Sequence, residues 1–378
     1  MLELKTHAIG SKLSSAASDF LNVVDYIYKR DPNYVRPLDM DMKDRLSFKN
    51  PFFEHGDGVM FTAHRNGFCV GRCTAQIDRG HLARYKDDAG FFGFFDTIDD
   101  QEVAQLLIDA AGRWLRERGM KKMRGPFSWS INEEMGCLIE GFDKPPMVLM
   151  PHHLPYQGGL LEGCGLVKLK DVYAWEYHVG PLNERTRKAH EDLLAMPEVK
   201  TRHIDMKNLD ADVRIVMDVF NDGWIDNWSF VPFTEKELSK LAADLKLIAI
   251  PELTYIAEID GEPAAVAVAL PNINELIKDM KGKLGPLELG KLLWRLKVMG
   301  PKTARLAILG IRKKFRNQRK YAGLSTHLYA KLNESGERLG IEWGELSWTL
   351  EDNGPVNVAI RLMGGKIYKK YRLYEKNT

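Results

Sequence analysis

Two β-hairpin signals, one in each half of the chain, constrain the fold more than any other feature. Asn66-Gly67 lies between the strand-like stretches 59–64 and 69–77, and Asp260-Gly261 lies between 254–259 and 264–269. Such dipeptides adopt the left-handed backbone of a two-residue turn, which joins antiparallel strands. Another strand-like stretch follows each hairpin, at 90–97 and at 303–310. Each half is therefore predicted to contain a largely antiparallel sheet.

Helical patterns flank the hairpin in both halves. Apolar residues recur at helical spacing before the hairpin, at 14–29 and 211–224, and again after the next strand, at 99–119 and 323–340. Thr234 and Glu237 form a capping box that starts one more helix in the second half. The second half reads strand–helix–helix–strand–strand–strand–helix–strand–helix–strand, which predicts a mixed α/β sheet without the alternation of a doubly wound fold.

Chain length indicates two domains. The 378 residues exceed one ordinary core and fit two domains of about 150–200 residues. Gly180-Pro181 is the candidate boundary. We therefore expect domains at 1–180 and 181–378.

Composition excludes several classes of protein. No stretch reaches the roughly 20 apolar residues of a membrane helix, and no apolar run behind a basic tip marks a secretory signal. The net charge is only +2, which argues against a nucleic-acid-binding protein. The four cysteines match no zinc pattern, so we expect no metal site and a cytoplasmic location. They are Cys69, Cys73, Cys137 and Cys164.

The segment 306–332 carries the most specific functional signal. An apolar strand ends near Gly310, a basic loop follows, and Gly323 opens a helix in which Leu324, Leu328 and Leu332 recur every four residues. Free N–H groups at a helix start favour a phosphate or pyrophosphate, and the cations add attraction. Neither the Walker A pattern nor the Rossmann glycines are present. A solvated basic loop is the competing interpretation, but the order strand, basic loop, glycine, helix favours a ligand with a diphosphate. The expected contacts are Leu309, Gly310, Ile311, Arg312, Arg316, Arg319, Lys320, Ala322, Gly323, Leu324 and Ser325.

This segment resembles the CoA-binding motif [QR]xxGx[GA] of the GNAT acyltransferase superfamily, with Lys320-Tyr321-Ala322-Gly323-Leu324-Ser325 in its place. Lysine replaces Gln/Arg and serine replaces the last small residue. Farther on, Asn353 and Gly364-Gly365 resemble the family's asparagine, helix and Gly-Phe pattern. The tyrosine that usually protonates the departing thiolate falls at Ile360, which leaves the acid unassigned.

The whole chain resembles a bacterial family of double-GNAT proteins that includes bacterial ceramide synthases. The shared-looking blocks span nearly all residues, and they include 90–96, Gly125-Pro126, 132–134, 224–232 and 346–353. The resemblance implies tandem GNAT folds, each a mixed, mostly antiparallel twisted sheet flanked by helices. It also implies acyl-CoA as co-substrate for N-acylation of a primary amine. The first half lacks the motif and carries Asp99 and Asp100 at the matching helix start, which would repel a pyrophosphate. It is expected to be a degenerate copy that shapes the acceptor cleft.

Amide formation from a thioester needs a base and an oxyanion stabiliser, and the strand 345–351 is the best candidate for a wall of such a site. Its polar residues Glu345 and Glu351 alternate with apolar ones, so they face one side of the sheet. Either carboxylate is a candidate base, and Asn353 fits an orienting role. A strand with a simple solvent-facing side explains the pattern equally well.

Two further clusters are candidates for substrate contact. The first lies in the first half, where adjacent histidines invite a metal interpretation that the missing third ligand argues against. The second follows the first helix of the second half, in a region that borders the acceptor in GNAT folds. Packing residues are the competing interpretation of both clusters. The candidates are Glu133, Glu134, His152, His153, Tyr156, Trp224, Asn227 and Trp228.

Residues 273–302 interrupt the second half with leucines interspersed with lysines. Such a basic amphipathic segment is typical of contact with an anionic bilayer or of a lid over an apolar tunnel. A helical hairpin packed on the protein remains open. The composition favours a long acyl chain or an amphiphilic amine, with peripheral contact at the inner membrane. The alternatives are acetylation of a small amine or amino acid, and acyl-CoA binding without catalysis. The oligomeric state stays open.

Overall fold

The structure is a computed structural model that describes the backbone of residues 1–378 and every side chain except those of Leu245 and Leu247. The chain forms two units. Unit 1 comprises 1–173, 277–291 and 369–378, and unit 2 comprises 174–276 and 292–368.

Strands occur throughout the chain. Their bounds are β1 Leu2–Ala8, β2 Gly56–Arg65, β3 Phe68–Asp78, β4 Ala89–Thr97, β5 Lys122–Gly125, β6 Cys137–Glu140, β7 Val167–His178, β8 Val199–His203, β9 Thr254–Ile259, β10 Glu262–Pro271, β11 Thr303–Ile311, β12 Trp343–Leu350 and β13 Lys366–Asn377. The helices are α1 Ser18–Ile27, α2 Asp39–Arg45, α3 Arg79–Tyr85, α4 Gln101–Arg116, α5 Gln157–Gly163, α6 Glu184–Leu194, α7 Leu209–Trp224, α8 Glu235–Ile248, α9 Ile273–Ile277, α10 Pro286–Trp294, α11 Lys313–Arg316, α12 Leu324–Leu339 and α13 Gly354–Leu362.

The sheet of unit 1 has the strand order β1-β2-β3-β4-β5-β13, and β6 also pairs with β13. Pairing is antiparallel except between β4 and β5, which run parallel. Helix α4 connects these two strands. Its buried stripe includes Val103, Leu107 and Leu115, and it packs on the core of the unit.

The sheet of unit 2 has the strand order β7-β12-β11-β10-β9-β8. Strands β8 to β11 pair antiparallel, whereas β11 and β12 run parallel and are connected through α12. Apart from the short helices α3 in unit 1 and α9 to α11 in the second half, both units thus repeat the chain order of a strand, two helices, three strands, a helix and a further strand.

Local sequence signals located the main elements correctly. Both predicted hairpins are present, with Gly67 and Gly261 at positive φ. The capping box is also confirmed, because the Thr234 N–H donates to Glu237 at 2.7 Å and the Glu237 N–H donates to the Thr234 hydroxyl at 3.3 Å. The short helices α2, α3 and α5 were not predicted, since seven residues show too little periodicity.

Candidate functional site

A cleft opens between the parallel strands of unit 2. Strands β11 and β12 pair only from Thr303–Trp343 to Leu306–Leu346. Beyond these pairs the described backbone shows no further β11–β12 pairing, although both strands continue. A bulge at Ala307 falls where the strands part, because Val268 pairs with Ile308 while Ala269 pairs with Leu306. Beyond this point the described residues of the two strands are no longer hydrogen-bonded to each other.

Trp224, at the end of α7, lies against both separated strand ends. Its indole N–H donates to the Leu309 carbonyl of β11 at 2.8 Å. Its ring meets Trp348 of β12 edge-on, with centroids 5.7 Å apart. The predicted contact residues Asn227 and Trp228 follow at once and are half-buried. Trp224 therefore lines the cleft on the α7 side.

The first turn of α12 is open and has no acidic side chain. No side chain caps this end of the helix, and Ala322 is exposed while Ser325 is half-exposed. Its N–H groups are therefore available to an anion at the surface. Packing explains why position 323 is a glycine, which the sequence did not reveal. A Cβ there would lie 2.9 Å from the Leu193 side chain of α6.

Four of the six cations in the preceding loop are ion-paired with acidic residues. The pairs are Arg312 with Asp218, Lys313 with Asp226, Lys314 with Glu262 and Lys320 with Glu198. Arg316 donates to the Gly223 carbonyl at 3.1 Å, and Arg319 is exposed. Neither of these two arginines has a carboxylate partner among the described side chains, so they carry the uncompensated positive charge of the loop.

Glu345, on β12, is fully buried in a polar network. Its carboxylate accepts hydrogen bonds from the Ser347 and Tyr368 hydroxyls, and it lies 3.5 Å from the Arg305 guanidinium. Arg305 also donates to the Ser347 hydroxyl at 2.7 Å. The alternation predicted a polar face toward a cleft or toward solvent, but Glu345 and Ser347 lie inside the protein. This carboxylate already has two donors in place.

The end of β12 is held by Asn357 of α13. Its amide donates to the Leu350 carbonyl at 2.9 Å and accepts from the Thr349 hydroxyl at 2.7 Å. Glu351 follows directly after the strand and is half-buried, and Asn353 precedes α13. Ile360, at the position of the usual tyrosine, is buried and has no ionisable group.

The adjacent carboxylates Glu133 and Glu134 of unit 1 bind an arginine of α2. Glu133 and Glu134 form ion pairs with Arg45 of α2 at 3.1 and 3.0 Å. Asn50 donates to Glu133 at 2.9 Å. Burial raises the pKa of Glu133 to about 7, against the pull of Arg45. This arrangement fixes the loop 130–134 against α2.

The two histidines and the tyrosine of unit 1 are likewise engaged inside the unit. His152 bonds Asp31 at 2.7 Å, and burial lowers its pKa. His153 accepts from the Leu138 N–H at 3.1 Å, and burial lowers its pKa to about 4, so the ring is neutral. The Tyr156 hydroxyl donates to the Thr97 carbonyl at 2.8 Å. A substrate-binding role for these residues stays a prediction.

The equivalent of the cleft is closed in unit 1. Strands β4 and β5 pair from Ala89–Lys122 to Phe91–Arg124, and the Phe127 N–H then donates to the Phe92 carbonyl at 2.8 Å. A Cβ on Gly93 would lie only 1.6 Å from the Phe127 carbonyl oxygen. The chain after β5 therefore stays against β4.

Several site residues were not singled out from the sequence. Arg305 could have been noticed, because a charge within the apolar run 303–310 requires a buried partner. Tyr368 gave no local signal, since its partner Glu345 is 23 positions away. Asn357 lies only seven positions after Leu350, but no motif in the sequence marked it. The described His, Cys, Asp and Glu residues form no group that could hold a metal ion.

Comparison with known proteins identifies the family. No protein-family model matches the chain. It is 42% identical over 352 residues to the "Bacterial ceramide synthase" of Caulobacter vibrioides, covering 92% of this chain and 91% of that protein. It is 40% identical over 359 residues to "Protein YghO" of Escherichia coli, covering 94% and 92%. The chain belongs to this bacterial N-acyltransferase family.

Solved structures confirm the tandem GNAT fold of this chain. A tandem GNAT protein from the clavulanic acid biosynthesis pathway matches at a TM-score of 0.59, with 12% identity, over 100% of this chain and 98% of the other. A GCN5-related N-acetyltransferase from Sphaerobacter thermophilus matches at 0.53, with 11% identity, over 99% and 95%. The predicted fold class, a pair of mixed and mostly antiparallel sheets flanked by helices, is therefore confirmed. No described helix has the length and apolar character needed to cross a bilayer.

Proposed function

We propose that this N-acyltransferase moves a long acyl group from acyl-CoA to the primary amine of an amphiphilic lipid such as a sphingoid base. The observation that carries the proposal is the open cleft between β11 and β12, which ends at the uncapped start of α12. The name of the Caulobacter relative supports the lipid acceptor.

Diphosphate binding follows from the chemistry of the α12 turn. Free N–H groups of Leu324, Ser325 and Thr326 face an anion along the helix dipole. Arg316 and Arg319 supply charge-assisted hydrogen bonds that no carboxylate competes for. The thioester arm then extends along β11 toward the bulge at Ala307.

In the transfer step the amine nitrogen attacks the thioester carbonyl, the C–N bond forms and the C–S bond breaks. The nitrogen loses one proton to a base, and the CoA thiolate takes up one proton. Glu351 is the better base of the two candidates, because it lies half-buried beyond β12 at the open end of the cleft. Glu345 acts as a positioning residue, since its oxygens already accept from Ser347 and Tyr368.

Unit 1 offers no second site for CoA. Its β4–β5 region is closed by Phe127, and Asp100 accepts from the Glu102 and Val103 N–H groups at the start of α4. These contacts occupy the positions that a diphosphate would need.

Thiol release tests the proposal. The chain is incubated with acetyl-, octanoyl- or palmitoyl-CoA, with a sphingoid base, a small amine or no amine. We expect release that requires an amine and is fastest with palmitoyl-CoA and the sphingoid base. Fastest release with acetyl-CoA and the small amine would favour a small-molecule acetyltransferase, and CoA binding without release would make the protein a non-catalytic binder. Glu351→Gln should lower turnover more than affinity, while Glu342→Gln, at an exposed site, serves as control.

An amphiphilic substrate also requires access to a bilayer, and the segment 286–299 fits that role. Six large apolar side chains are exposed on it, including Leu287 at 86% and Val298 at 68%. Lysines at 281, 283, 291 and 297 are exposed nearby. Apolar insertion beside cations is the pattern that binds anionic membranes.

Vesicle co-sedimentation tests this contact. We expect binding to vesicles with anionic lipid that weakens as salt rises. Replacing Trp294 and Val298 by serine should remove it, whereas Phe68→Ser, at an apolar residue that is 77% exposed in unit 1, should not. Equal behaviour of the two variants would contradict the assignment.

A further inference from the structure

An apolar cavity lies behind the point where β11 and β12 part. Leu306 and Leu346, the last paired residues of the two strands, both line it. The volume available to the centre of a water-sized group is about 60 Å³. The cavity is formed entirely by residues of unit 2.

The walls of the cavity suit hydrocarbon. The strands contribute the small side chains of Ala269 on β10 and Ala304 on β11, and α12 contributes Leu332. Three of the four polar residues of the wall, Tyr177, Asn333 and Glu345, form hydrogen bonds within the protein, and the fourth is Tyr329. Asn333 donates to the Gly180 carbonyl at 2.8 Å, and Glu345 accepts from Ser347 and Tyr368. A cavity whose exposed lining is mostly apolar favours apolar groups over water.

The position of the cavity matches the end of a bound thioester. From Ile311, beside the basic loop, back to Leu306 the strand rises roughly 17 Å at about 3.3 Å per residue. This length is comparable to the extended pantetheine arm of CoA. A thioester whose diphosphate lies at the start of α12 would thus place its acyl carbons at the junction of the strands.

We infer that this cavity, which we call the acyl chamber, holds the first methylene groups of the acyl chain. The inference rests on the proposed function. A water-sized group needs about 10–15 Å³ of such volume, so the chamber accepts roughly four to six methylene-sized groups. Carbons beyond these extend outside it.

Affinity as a function of chain length tests the inference. Each buried methylene contributes roughly fourfold in affinity. Dissociation constants for CoA, acetyl-, hexanoyl- and palmitoyl-CoA are measured by calorimetry on the full chain. Hexanoyl-CoA carries four more methylenes than acetyl-CoA, so we expect it to bind about 250-fold more tightly, with a smaller gain per carbon beyond it.

Two variants change the chamber in opposite directions. Ala269→Leu adds carbons to the wall and should weaken hexanoyl-CoA binding at least tenfold, with free CoA unchanged. Leu332→Ala enlarges the chamber and should shift the preference to longer chains. Ala211→Leu, the same substitution at an exposed position of α7, should change neither.

The outcomes separate the two proposals. Absence of CoA binding by the wild-type chain overturns the proposed function. Normal CoA binding with no chain-length preference, or a preference that neither variant shifts, overturns the acyl chamber alone. If Ala269→Leu does not fold, the shift expected of Leu332→Ala decides.

Discussion

The two units build the same strand–helix–strand connection and finish it differently. In unit 2, β11 and β12 part after Leu306–Leu346, and α12 begins without a side-chain cap. In unit 1, Phe127 stays bonded to β4, and Asp100 caps α4. A carboxylate cap and an anionic ligand compete for the same N–H groups. The difference teaches that the start of α12 is available to an anion, whereas the start of α4 is already occupied by a carboxylate of the chain.

The largest expected effect comes from reversing the uncompensated charge of unit 2. Arg316→Glu with Arg319→Glu should weaken CoA binding at least about 100-fold, because each charge-assisted hydrogen bond contributes about 1.5–3 kcal/mol. Calorimetric titration measures the change. The matched control is Arg113→Glu with Arg116→Glu, on the exposed face of α4. Equal losses in both variants would mean that only net charge matters.

The next largest expected effect is on the free energy of unfolding at low pH. It involves one deeply buried histidine in each unit. Burial lowers the pKa of His153 and of His327 to about 4. The unfolded chain therefore takes up these protons first as the pH falls below about 6.5. The stabilisation that each neutral histidine contributes is fully present above that pH and is lost as the pH falls toward 4. The loss is at most about 3 kcal/mol of unfolding free energy for each histidine.

Urea unfolding at several pH values between 4.5 and 7 measures this loss. His153→Gln or His327→Gln should each lower the proton uptake on unfolding by about one, so the stability curve becomes flatter. An unchanged slope in either variant would show that the ring is already charged in the folded unit.

A smaller effect should follow from giving unit 2 the charge of unit 1. Ser325→Asp places a carboxylate in the first turn of α12, where the helix dipole stabilises it by about 0.3–1 kcal/mol. CoA affinity should fall about tenfold while the free energy of unfolding stays equal or rises. Ser325→Asn is the neutral control. Loss of both affinity and stability would point to disrupted packing instead.

The smallest effect should come from removing the cap in unit 1. Asp100→Ala should cost about 1 kcal/mol of stability, since the Glu102 and Val103 N–H groups lose their acceptor. CoA affinity should stay within about twofold of the wild type. Asp109→Ala, at an exposed site on the same helix, controls for the loss of charge. A marked change in CoA affinity would place a ligand at α4.

What could be predicted from the sequence was local. The hairpins at Asn66-Gly67 and Asp260-Gly261 are set by turn residues, and the open start of α12 is set by the absence of a capping side chain. The chain resemblance correctly indicated the family and the tandem fold. These features depend on neighbours within a few residues or on similarity along the whole chain.

What could not be predicted depends on partners far apart in the chain. Gly323 meets Leu193, Glu345 meets Tyr368, and Phe127 lies against Gly93. The alternation of polar and apolar residues in β12 is the same whether the polar face meets solvent or is buried. It therefore could not show that a buried arginine and a phenol bind these polar side chains. The same limit applies to His152, whose partner Asp31 is 121 positions away.

Hydrogen–deuterium exchange with and without saturating CoA tests the central claim most directly. We predict that CoA slows exchange of the amides from Leu306 to Thr326, at β11 and the start of α12, and leaves those from Phe92 to Val103 unchanged. Protection at β4 and α4 with none at α12 would contradict the account.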